Sequence, residues 1–92
     1  PQYNNLKKES AEAVAGANAR SVYTAAVACE ALEKDPTNGD NLKDMLGSMG
    51  GTPSCTVTDG SVTAATWEGK VGSFDVTGTY TLTDGPKGTV KS

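Results

Sequence analysis

The first 34 residues contain no proline after Pro1 and one glycine, Gly16, within a run that carries nine alanines interleaved with Glu, Lys and Leu. Alanine is the best helix former, so the run predicts a helix over residues 1–34. Pro1 suits its first turn, where the missing N–H costs nothing. Such a helix measures about 50 Å at 1.5 Å per residue. A compact domain of this size has a radius of gyration of about 12 Å and a diameter of roughly 30 Å. Roughly 20 Å of helix should therefore overhang whatever the rest of the chain builds. The expected overhang is residues 1–14, with Tyr3, Leu6, Ala13 and Val14 on it.

The helix stop is expected at Asp35-Pro36, because a residue before proline is pushed out of helical dihedrals. Val14, Ala25, Cys29 and Leu32, with Ser21 among them, fall within about one third of the helix circumference and form an expected core-facing stripe. Glu30 and Lys34 are spaced i,i+4 in the favourable order. Residues 35–54 read as a connecting loop rich in Gly, Asn, Asp and Pro. Within it Leu42, Met45, Leu46 and Met49 recur at helical spacing, so a short helix over residues 41–49 is expected to end at Gly50-Gly51.

From Cys55 onward the period changes to two. Asp59-Gly60 is a two-residue hairpin signal, followed by a returning strand over residues 61–67. A second turn is expected around Glu68 to Gly72. Phe74, Val76, Gly78, Tyr80 and Leu82 then alternate with Ser73, Asp75, Thr77, Thr79 and Thr81, which describes a strand with one buried and one wet face. Asp84 to Gly88 is a further turn, and residues 89–92 are left for a short edge strand. Connections this short demand antiparallel pairing. The fold class expected for residues 1–92 is a single α+β domain: a long N-terminal helix (1–34), a connecting loop (35–54) and a three- to four-stranded antiparallel sheet (55–92). Its expected core is Leu32, Trp67, Phe74, Val76, Tyr80 and Leu82.

Composition limits the chemistry. The 92 residues are 36% apolar with one Trp and one Phe, which makes a modest core. Cys29 and Cys55 remain free thiols or pair. A small core with Thr/Ser/Gly-rich strands favours a disulfide and an oxidising compartment, and closing that loop is worth about 3 kcal/mol. The net charge of −3 lends no support to nucleic-acid binding. With no histidine there is no imidazole base or His-ligated metal, and the two cysteines lack zinc or redox spacing. No phosphate-binding glycine motif occurs. Asp35, Asn38 and Asp40 offer oxygen ligands for calcium but read better as turn formers. Trp67 is read as core, against an exposed adhesive or stacking role. Lys7, Lys8 and Arg20 are read as a solvated face balanced by Glu9 and Glu12. The expectation is no enzyme, no cofactor and no metal.

The opening Pro1-Gln2-Tyr3, followed by Asn4-Asn5-Leu6-Lys7-Lys8 and the alanine-rich run, resembles the Pro-x-Tyr and amphipathic helix that follow the apolar stem of type IV pilins and the related pseudopilins. Helix, connecting loop and C-terminal antiparallel sheet are the layout of that family. The resemblance implies a pilus subunit that forms a homo-oligomeric filament through its N-terminal helix, with Pro1, Tyr3, Leu6, Ala13 and Val14 at the assembly interface. It also implies pilus assembly machinery as a partner, an inner-membrane precursor held by an apolar stem upstream of Pro1, and a mature filament at the cell surface. Adhesion, twitching motility and DNA uptake are the roles of such filaments. A type II secretion pseudopilin and a secreted module outside any filament are the alternatives. The Cys29–Cys55 spacing departs from the family's usual disulfide, which closes a loop near the C-terminus.

Overall fold

The computed structural model describes residues 2–91, with side chains from residue 7 onward. Helix α1 (Gln2–Ala31) lies across one face of a four-stranded antiparallel sheet: β1 (Thr52–Thr58), β2 (Ser61–Val71), β3 (Phe74–Thr81) and β4 (Gly85–Val90). The strands follow in sequence order, β1-β2-β3-β4, as a simple meander. A second helix, α2 (Gly39–Leu46), packs beside α1 in the connection. The molecule is elongated, 48 × 27 × 17 Å, with a radius of gyration of 13.5 Å.

The face of α1 against the sheet is made of the smallest residues available. Ala11, Ala15, Ala19, Val22, Ala26 and Cys29 are each no more than 2% exposed, at successive spacings of four, four, three, four and three residues. This corrects the expected stripe. Ala25 and Cys29 are buried, but Val14 is 43% and Leu32 is 58% exposed. Leu32 lies beyond Ala31, the last residue of α1, and so leaves the inner face; for Val14 the reason is steric. Gly78 on β3 sits against the Ala15 carbonyl and Gly88 on β4 against the Glu12 carbonyl, each so close that neither glycine has room for a Cβ. A helix that approaches the sheet to backbone contact selects alanine on its inner face and turns the bulkier apolar residues outward.

The sheet face under the helix follows from the register. Ala65 pairs with Cys55 and Tyr80, and Trp67 with Pro53 and Gly78. Gly69 pairs with Val76. Trp67 and Val76 are buried, while Phe74 and Tyr80 are half-buried. Leu82 falls outside the expected core at 67% exposure, because β3 ends at Thr81 and the chain turns there. The indole of Trp67 lies over Gly69 and Gly51, and its Nε1 donates to the Gly50 carbonyl at 3.0 Å. Tyr23 on α1 packs against Tyr80 with ring centroids 4.9 Å apart and the rings tilted by 48°.

Several boundaries shift from expectation for local reasons. Helix α1 ends before Asp35-Pro36, because Glu33 takes a left-handed conformation (φ 59°). The Lys34 N–H donates to the Cys29 carbonyl at 2.8 Å and the Glu33 N–H to the Glu30 carbonyl at 3.0 Å. These are the paired bonds of a Schellman cap, with glutamate where glycine is usual. Helix α2 begins at Gly39 because the Asn38 side chain caps it, accepting from the N–H groups of Asp40 and Asn41. It ends at Gly47 (φ 71°), before Gly50-Gly51. Asp59 and Gly60 both take positive φ, so β1 and β2 join through a type I′ turn. β2 runs through Glu68-Gly69-Lys70 and turns only at Gly72-Ser73.

The expected disulfide is absent. Cys29 and Cys55 are both free thiols. Each engages its own acceptor: the Cys29 thiol donates to the Asn41 carbonyl at 3.7 Å and the Cys55 thiol to the Pro36 carbonyl at 3.2 Å. The connecting loop is thus held to the helix and to β1 by separate thiol contacts. Burial is the main reason that the Cys55 thiol has a raised pKa, and the neighbouring Cys29, Glu30 and Asp35 add to it.

Candidate assembly surface

Two glutamates tie α1 to the sheet. Glu12 accepts from the Val90 N–H at 3.2 Å, and Glu30 accepts from the Val62 N–H at 3.3 Å. The Val62 site lies beside a register shift between Thr56 and Val57 that disturbs the ladder there. The two positions are five helical turns apart and so share one side of the helix. Glu30 therefore serves the sheet rather than the expected i,i+4 pair with Lys34, which lies beyond the helix end. Glu12 likewise serves β4 rather than balancing the lysines of its own face.

With one side fastened in this way, the opposite side of α1 faces solvent. Ala13, Val14, Ala17, Ser21, Thr24 and Val27 are exposed there, and Arg20 is the only charge between Ala13 and Val27. Of the residues expected at an assembly interface, Ala13 and Val14 lie on this side. Pro1 lies outside the described residues, as do the side chains of Tyr3 and Leu6. The overhang is shorter than expected, because Ala11 is already 2% exposed and Glu12 touches β4.

Two grooves border this face. One, of about 520 Å³, runs between α1 and α2 and is lined by Ala17, Ser21, Thr24, Met45, Leu46 and Met49 among others. The other, of about 420 Å³, lies between the front of α1 and the β2–β3 turn, where Val14, Val71 and Phe74 form apolar walls and Lys7 stands at the rim. No element of the sequence marked the second groove, since Val71 belongs to a stretch that reads as turn.

Of the polar residues weighed as calcium ligands, Asp35 and Asn38 are engaged locally through their side chains. Asp35 accepts from the Thr37 N–H and hydroxyl at 2.9 and 2.6 Å, and these bonds hold its carboxyl below the usual range. Asn38 is the α2 cap. Among the described residues no group of three or more His, Cys, Asp or Glu is placed to hold a metal ion, and no helix is long and apolar enough to cross a membrane. Comparison with protein families, with curated proteins and with solved structures finds no match.

Proposed function

We propose that this protein is a structural subunit of a type IV pilus-like filament, polymerising through α1 while the sheet is displayed outward. The observation that carries this reading is the outer side of α1. A helix lying on a sheet ordinarily turns charged residues to water. Here the wet side has a single charge, Arg20, in four turns of Ala, Val, Ser and Thr. Small uncharged side chains let helices approach closely, so this side suits the α1 helices of neighbouring copies. The layout of helix, connecting loop and antiparallel meander supports the same reading, as does the resemblance of the opening residues to pilins.

On this reading the partners are further copies of the chain, the machinery that assembles them, and the inner membrane through an apolar stem upstream of Pro1. The filament would stand at the cell surface in adhesion, motility or DNA uptake. With both thiols free, that location rests on the pilin resemblance and not on a disulfide. The test is a photo-crosslinking amino acid at Ala17, on the outer side of α1, in the full-length protein of its native host. The expected result is a ladder of covalent multimers from Ala17 and none from the same probe at Thr79, on the far face of the sheet. A single monomer band from Ala17 would remove helix-mediated assembly.

A further inference from the structure

Asp35-Pro36 lies in the connection between the two helices, after the cap of α1 and three residues before α2 begins at Gly39. A peptide bond from aspartate to proline breaks more easily than others for two chemical reasons. The carboxylate reaches its own carbonyl carbon by closing a small anhydride ring, and the tertiary proline nitrogen takes up a proton and leaves as an amine. In this fold the Asp35 carbonyl oxygen accepts from the Asn38 N–H at 3.2 Å and from the Asn41 Nδ2–H at 2.9 Å. We propose that the Asp35–Pro36 bond is a self-cleavage site, with Asp35 as the nucleophile and the Asn38 and Asn41 donors as its oxyanion hole.

Two donors on one carbonyl oxygen are what a tetrahedral intermediate needs where its negative charge develops. A turn alone supplies the Asn38 donor, whereas the Asn41 amide comes from α2, so the second donor is in place when that helix is formed. The carboxyl is positioned as well. Its Oδ1 accepts from the Thr37 N–H and hydroxyl at 2.9 and 2.6 Å, which folds the side chain back along its own backbone and leaves Oδ2 to attack. Asp35 is exposed, so water and acid reach it. Oδ2 bonds to the Asp35 carbonyl carbon, the carbon–nitrogen bond to Pro36 breaks, and the nitrogen takes a proton from solvent. One water then opens the anhydride, restoring the Asp35 side chain and leaving a new C-terminal carboxylate. The sum is hydrolysis of one peptide bond, with nothing oxidised or reduced. Attack needs the ionised carboxyl, and departure needs acid. The Thr37 bonds hold the carboxyl below its usual range, so the two requirements overlap in mildly acidic solution.

The test holds the purified 92-residue chain at about pH 5 and follows its intact mass after denaturation. Fragments 1–35 and 36–92 should accumulate with first-order kinetics, at one rate whatever the protein concentration, and together weigh one water more than the parent. The folded chain should cleave at least about tenfold faster than the same chain in urea at that pH, where the donors are lost. Asn41→Ala, which removes one donor, should cleave about tenfold or more slowly than wild type while its circular dichroism is unchanged. Asp35→Ala should give no fragments. An intact wild type, cleavage as fast in urea, or a wild-type rate in folded Asn41→Ala would overturn the proposal. The urea comparison uses the wild-type chain, so it decides the matter even if a variant does not fold. Each of these results leaves the Ala17 crosslinking test, and with it the filament reading, untouched.

Discussion

Gly78 on β3 and Ala15 on α1 meet backbone to backbone, with the Ala15 carbonyl in the space that a side chain on residue 78 would need. Gly88 on β4 stands in the same relation to Glu12. Together these contacts set the depth at which the helix lies on the sheet. Gly78→Ala should therefore lift the helix and destabilise the fold by about 2–3 kcal/mol, the cost of overpacking a tight core. Urea denaturation should show a lower midpoint for Gly78→Ala and for Gly88→Ala. Gly39→Ala, where nothing lies within 4 Å of the new Cβ, is the control that should not unfold more easily.

The sequence announces the elements better than it announces their contact faces. Alanine content carries α1, Asp59-Gly60 carries the first hairpin and the alternation from Phe74 carries β3, because each depends on local conformational preference. The facing residues depend on the distance between helix and sheet, which local preference does not encode. Ranking by hydrophobicity selects Val14 and Leu32 for the inner side, whereas backbone contact at Gly78 and Gly88 leaves no room for a valine beside Ala15, and Leu32 falls beyond the helix end. The glycines were the available clue: two on helix-facing positions of neighbouring strands, directly paired across β3 and β4. The Glu12–Glu30 spacing of five turns was also readable, but nothing local says that these carboxylates accept from sheet N–H groups.

Glu33 ends α1 with φ 59°, a conformation that costs an L-residue about 1–2 kcal/mol and glycine almost nothing. Glu33→Gly should raise stability by about 1 kcal/mol without moving the helix end. The measurement is the change in melting temperature, and a drop would contradict the Schellman assignment.

Trp67 is held by the Gly50 carbonyl and by the bare backbone of Gly51, where a Cβ would come within 2.6 Å of the indole. Gly51 also has φ 70°. Gly51→Ala combines backbone strain with a clash and should cost about 2 kcal/mol or more. As the chain has one tryptophan, its emission reports the change directly and should shift to the red as the indole is pushed toward water.

Burial disfavours the Cys55 thiolate in the folded state, raising its pKa from 9.0. A group whose folded pKa lies above its unfolded value stabilises below the unfolded value and loses that contribution as pH rises through the folded one. Melting temperature should therefore decline above about pH 9, less steeply in Cys55→Ser, whose hydroxyl does not ionise in that range. Equal alkaline slopes in the two proteins would show that Cys55 does not bear the penalty.

Whether α1 polymerises as a pilin helix is decided by reading the sequence encoded immediately upstream of Pro1. The expected result is a run of about 20 apolar residues, the length that spans a bilayer, with a glutamate near its start and a glycine just before the processing point. A polar segment in that place, or one lacking such a run, would contradict it.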